Sequence, residues 1–149
     1  MNNIVRLTSV FLIMFVAATS VRAQQGLQIA SVFKKYGKEK GVTMVELSNE
    51  MLEAYEMTLY KSLAFKNVGD ALPYILQCLE ADKQLAKKVK EVVSDGQIQS
   101  GYYQLPQTEE DTNRFILFKT EDKGTATLIY IEGELDVGDL VTILLMKKD

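Results

Sequence analysis

Four consecutive apolar residues, Phe115-Ile116-Leu117-Phe118, most restrict what this chain can become. They sit in a strand-like segment, Arg114 to Thr120, and successive side chains of a strand point to opposite faces. Phe115 and Leu117 therefore face one way, and Ile116 and Phe118 the other. A sheet built around this strand needs apolar cover on both sides. Tyr102 and Tyr103 in the segment Gly101 to Leu105 are split between the faces in the same way. A two-layer fold covers one face with helices. The other is covered by a loop, by strand curvature or by the N-terminal helix, or it stays partly exposed for dimerisation or ligand binding. Tyr102, Tyr103, Phe115 and Phe118 are the candidate interaction surface.

The rest of the chain supplies the elements for such a fold. Leu27 to Tyr36 carries Ile29, Val32, Phe33 and Tyr36 at helical spacing, and Gly37 suits its end. Val42 to Leu47 is rich in β-branched residues and predicts a strand. Ser48 then caps a short helix from Asn49 to about Tyr55, with Leu47 and Leu52 placed as a staple. Leu59 to Lys66 predicts a second strand. Asp70 caps a long helix, Ala71 to Val93, in which Pro73 falls in the tolerant first turn. Asp95-Gly96 is expected to stop that helix. Gly101 to Leu105, Arg114 to Thr120 and Thr125 to Leu135 predict three strands, the last two joined by the turn Glu121-Asp122-Lys123-Gly124. Asp136 caps a final helix. The order is α-β-α-β-α-β-β-β-α. It implies a two-layer α+β sandwich, a mixed but mainly antiparallel sheet of about five strands with helices on one face.

The N-terminus reads as a signal for export. Arg6 precedes an apolar run from Leu7 to Ala18, and Val21-Arg22-Ala23 places small residues where signal peptidase needs them. Residues 1–23 are expected to be a cleavable signal peptide, cut between Ala23 and Gln24. Residues 24–149 then form one domain, periplasmic or extracellular. The apolar run is short for a membrane span, and no integral span is expected after cleavage. Without Arg6 and Arg22 the chain keeps 15 basic against 20 acidic residues, a formal charge of −5. That balance argues against nucleic acid as a partner, since phosphate neutralisation needs basic surface.

Histidine is absent and cysteine occurs once. Ser-His-Asp and Cys-His nucleophile systems are therefore excluded, as are His- or thiolate-based zinc sites. Cys78 has no partner within the chain and is expected on an apolar helix face. The acidic loop Glu109-Glu110-Asp111 lacks the spacing of a calcium-binding loop. Lys34, Lys35, Lys38 and Lys40 form a basic run that Glu39 interrupts, expected to be a solvated helix end. No catalytic, metal or cofactor-binding residue is assigned.

The helix with Phe33-Lys34-Lys35-Tyr36, the strand opening Gly41-Val42-Thr43, the segment Ser48 to Leu52, and Ile129 to Leu140 together resemble a family of small exported proteins of the Bacteroidota. That family is described only as a domain of unknown function. The resemblance spans most of residues 27–145, except that Tyr102 to Phe118 departs from its pattern. It implies an exported α+β domain and carries over no active-site residue. The expected role is a non-enzymatic module binding a protein or ligand, with a protein partner or a homodimer through the sheet face. The alternative is an envelope enzyme using carboxylates and tyrosines, acting on a glycan.

Overall fold

A computed structural model describes residues 26–136 and Gly138. In chain order the elements are α1 (Ile29–Tyr36), β1 (Val42–Ser48), two single-turn 3-10 helices (Asn49–Met51 and Glu53–Tyr55), β2 (Met57–Phe65), α2 (Ala71–Lys83), β3 (Lys88–Ser94), β4 (Gln97–Leu105), β5 (Asn113–Thr120) and β6 (Ala126–Gly133). The strands form one six-stranded sheet in the order β1-β2-β6-β5-β4-β3. Every neighbouring pair is antiparallel. The α+β class stands. The sheet has one strand more than expected and no parallel pair, and the short helix after Ser48 is two 3-10 turns. The expected signal peptide, its cleavage residues Ala23 and Gln24, and the course of the final helix lie outside the described residues.

The extra strand is the main correction. Residues 71–93 are not one helix. α2 ends at Lys83 and residues 88–94 are β3. Asp95 and Gly96 are not a helix stop but the two central residues of a β3–β4 hairpin, with φ of 54° and 75°. Two successive left-handed residues give a turn whose twist matches that of the strands, and Asp-Gly is among its preferred sequences. Val89, Val92 and Val93 are β-branched and lose rotamer freedom in a helix but not in a strand. Val92 and Val93 are also 61% and 57% exposed, which no core-facing helix stripe would allow.

The two helices pack on one face of the sheet. Ile29, Val32 and Phe33 of α1 and Ile75, Cys78 and Leu79 of α2 join Leu63, Phe65, Tyr103, Leu105, Ile116, Phe118, Leu128 and Tyr130 in one buried cluster. Cys78 is a free thiol inside it, with the Ser31 hydroxyl 3.8 Å away, so the expected core position holds. α1 has no side-chain cap of its own. Asp82, near the end of α2, supplies it: its two carboxylate oxygens accept from the Gln28 and Ile29 amides at 2.6 and 2.9 Å. A carboxylate there satisfies two amides that the helix cannot and meets the positive end of its dipole. Burial raises the Asp82 pKa, while the two amides and Arg114 hold it down in part.

The opposite face has a second, smaller cluster of Leu52, Met57, Phe115, Leu117, Ile129, Ile131 and Leu135, edged by Leu47, Tyr60 and Tyr102. Gly133 lets the chain close over one end of it. A Cβ at Gly133 would stand 2.3 Å from the Glu56 carbonyl oxygen and 2.6 Å from the Met57 Cα. That bare backbone lets the amides of Glu134 and Leu135 reach the same Glu56 carbonyl, at 2.9 and 3.2 Å.

Candidate functional site

The strand registers lay out the second face row by row, because residues paired across strands share a face. One row runs Lys88, Gln104, Phe115, Ile131, Tyr60, Leu47 from β3 to β1. The next runs Lys90, Tyr102, Leu117, Ile129, Ser62, Val45. The third runs Val92, Ser100, Lys119, Thr127, Ala64, Thr43. Leu52, Met57 and Leu135 belong to the Gly133 end. The Met57 amide bonds the Leu52 carbonyl, and Met57 pairs with Gly133. They roof the first row.

The second and third rows form a groove of about 590 Å³. Its floor is Leu117, Ile129, Thr127, Ala64 and Ser62, and Tyr102, Val92 and Ser100 line the β3–β4 side. Lys90 and Lys119 border it. Lys119 holds an exposed ion pair with Glu121 at 3.4 Å, which solvent makes weak. The Tyr102 ring leans on Phe115, centroids 5.9 Å apart. Its hydroxyl oxygen is buried and has no hydrogen-bond partner among the described residues. Desolvation raises the Tyr102 pKa accordingly. A phenol in such a place can donate to an incoming acceptor at little further cost, since its hydration is already lost.

The helix-covered face carries the strongly coupled polar groups, and each has a structural partner. Tyr103 donates to the Glu91 carboxylate at 2.6 Å, and Lys83 donates to its other oxygen at 2.8 Å. Desolvation works to raise the Glu91 pKa, but these two donors outweigh it and leave it lowered. The Tyr103 pKa is pushed well above the ordinary phenol value by burial and by that carboxylate. Arg114, itself buried, donates from Nε to the Tyr130 hydroxyl at 2.9 Å and from Nη1 to the Pro106 carbonyl at 3.3 Å. Tyr130 in turn donates a short hydrogen bond to Glu132. Burial raises the Glu132 pKa, and the Tyr130 pKa is raised by burial and by the Glu132 carboxylate. A carboxylate, a tyrosine and an arginine do converge here. Tyr130, however, has no exposed surface.

The four residues of the candidate interaction surface divide evenly. Tyr102 and Phe115 are on the second face, Tyr102 at the groove and Phe115 under the roof. Tyr103 and Phe118 are buried beneath the helices. The aromatic run identified the groove's strand. Lys90 and Val92, assigned to a helix by their sequence, were not identifiable as part of its wall; the Asp95-Gly96 hairpin signal could have placed them. Lys35, from the basic run, lies over the Tyr74 ring at 4.5 Å. Among the described residues no three acidic or cysteine side chains gather as metal ligands, and no helix is long and apolar enough to cross a membrane.

Fold and site together define a small α+β sandwich whose antiparallel sheet is covered by helices on one face and grooved on the other. The sequence profile of a family of unknown function (DUF6108) matches residues 16–144, and the chain belongs to that family. Among solved structures the chain is similar to PA94, a protein of unknown function from Pseudomonas aeruginosa. The identity is 16% over 74% of this chain and 79% of that one, with a TM-score of 0.34. No curated protein matches the chain.

Proposed function

We propose that this chain is an exported, non-enzymatic binding module that holds an amphipathic ligand in the groove of its second sheet face. The groove itself carries this proposal: an apolar floor of Leu117 and Ile129, a buried unpartnered Tyr102 hydroxyl, and lysines at the border. An apolar stretch on the floor and an anionic or acceptor end near Tyr102 and Lys90 would use all three. The alternative, an enzyme of carboxylates and tyrosines, would draw on Tyr130 with Glu132 or on Tyr103 with Glu91, and both tyrosines are buried in the helix-side core. Export rests on the character of residues 1–23 and predicts that the protein recovered from cells begins at Gln24.

The test is a titration of residues 24–149 with anilinonaphthalene sulfonate, an anionic amphipathic probe. Saturable fluorescence enhancement is expected, and Thr127→Trp, which fills the floor, should weaken it about tenfold or more while the thermal transition stays cooperative. Unsaturable binding, or an affinity that Thr127→Trp leaves unchanged, would overturn the assignment.

A further inference from the structure

We propose that a second copy of this chain pairs with the open sheet edge at β3, antiparallel and across a twofold axis centred on Glu91. β3 ends the sheet, so one side of its backbone has no partner strand among the described residues. Such an edge offers unpaired amides and carbonyls to another strand. The side chains along it are uncovered as well. Val89, Val92 and Val93 are exposed, as is Leu85 in the link leading into the strand. Exposed large apolar residues thus gather on residues 85–93, at one margin of the molecule.

The charges select the occupant. Lysines on an edge repel most strands, so Lys87, Lys88 and Lys90 admit only a strand whose opposing residues suit them. Lys87 and Asp95 are exposed at the two ends of β3 and make no ion pair among the described residues. A twofold axis perpendicular to the sheet pairs residues of the same face, so it must pass through a residue. Centred on Glu91, it sets Val89 against Val93 of the second copy, Lys90 against Val92, Lys88 against Ser94 and Lys87 against Asp95, each of them twice. Opposite charges then close both ends, and valines meet between them. Centring on Val89 or Lys90 opposes lysine to lysine, and centring on Val93 opposes Glu91 to Asp95. Centring on Val92 sets Val89 against Asp95. In the chosen register Glu91 alone meets its own kind, and its carboxylate is already held by Lys83 and Tyr103 of its own chain. The other edge offers no such match. β1 carries a single charge, Glu46, which a twofold centred on Val45 sets against Met44.

The pairing does not rest on the binding role proposed above, but it bears on it. Lys90 and Val92 border the groove. The twofold sets them against each other, so the grooves of two copies meet at the shared edge on one face of the joined sheet. The helices of both copies lie on the other face.

The test is sedimentation equilibrium of the full mature chain from about 1 to 500 μM. A monomer–dimer equilibrium is expected. Val93→Lys, at an exposed position, should weaken it about tenfold or more while the thermal transition stays cooperative. Lys87→Glu sets an acid against Asp95 and should weaken it about fivefold, which covers a failure of Val93→Lys to fold. The register is read in a Cys78→Ser background under mild oxidation. Val89 of one copy lies opposite Val93 of the other but about 13 Å from its own counterpart, beyond the reach of a disulfide. A mixture of Val89→Cys and Val93→Cys chains should therefore crosslink about tenfold faster or more than either variant alone. A strict monomer at the highest concentration, a dimer that neither charge substitution weakens, or a mixture that crosslinks no faster than its components overturns the proposal. A dimer that does not bind the sulfonate probe saturably would sink the ligand reading and leave the pairing supported. Probe binding by a strict monomer would do the reverse.

Discussion

Tyr102 and Tyr103 are neighbours in sequence and live on opposite faces of one sheet. Tyr103 lies under the helices, is 1% exposed, and donates its hydroxyl to Glu91. Tyr102 lines a groove, and its hydroxyl has no partner among the described residues. The contrast extends across the sheet. On the helix face, buried polar groups are paired: Asp82 with the α1 amides, Arg114 with Tyr130, Glu91 with Lys83 and Tyr103. On the second face the described apolar cover stops after one row. One face is built as a finished core, where an unpaired polar group would be expensive. The other carries a smaller apolar cluster at the Gly133 end and an open groove beside it.

Adjacent residues of β5 test the contrast most strongly. Ile116 faces the helices and is fully buried, so Ile116→Ala should cost about 2–5 kcal/mol in urea unfolding. Leu117 faces the groove, and Leu117→Ala should cost less, about 1–2 kcal/mol, because neighbouring groups can move into the space. Equal losses would break the distinction between the faces.

Asp82→Ala should cost about 1–3 kcal/mol by leaving two α1 amides without acceptors. Asp82→Asn keeps one acceptor oxygen and should cost less. A loss for Asp82→Ala no larger than that of an exposed surface substitution would show that the helix face does not depend on this cap.

The tyrosines sharpen the comparison further. Tyr103→Phe should destabilise by about 1–2 kcal/mol through loss of its bond to a carboxylate. Alkaline unfolding should show the same asymmetry. Folding raises the pKa values of Tyr103 and Tyr130, so above about pH 10 the unfolded chain releases protons that the folded chain keeps, and stability falls as pH rises. Lys83, raised mainly by its bond to Glu91, acts in the same direction, its contribution lost as pH rises through the folded value. Thermal midpoints measured from pH 8 to 11 should fall less steeply in Tyr103→Phe.

Tyr102→Phe should have the smallest effect of all, near zero or slightly stabilising, since it removes a buried hydroxyl without a partner. A loss as large as that of Tyr103→Phe would mean that the Tyr102 hydroxyl has an acceptor in solution.

Much of this fold was legible locally. α1, β1, β2 and the three C-terminal strands follow from apolar spacing, β-branched composition and turn residues, and their boundaries moved by a few residues at most. The run from Ala71 to Val93 misled because Gln84, Leu85, Ala86 and Lys87 are good helix formers. They bridge a true helix to a strand whose valines also fit a helical stripe. Asp-Gly ends a helix or turns a hairpin equally well in sequence. What decides here is that β3 hydrogen-bonds along β4 through the Asp95-Gly96 turn, a pairing that helix propensity alone does not reveal. The groove was half legible. The alternation of Phe115 to Phe118 required apolar cover on two faces and put Tyr102 apart from Tyr103. It could not bring Lys90, Lys119, Thr127 and Ser62 together, since they come from four strands.

By itself the sequence determined that no histidine or paired-cysteine chemistry could operate, that the domain would be α+β, and that one strand would be apolar on both sides. These follow from residue types and from the period of two that any strand obeys. Only the tertiary structure decided which face the helices took, which buried charges were paired, and how far the second face was roofed. Those outcomes depend on strand order and register, which join residues far apart in the chain, as Asp82 meets Gln28 and Leu117 meets Ile129.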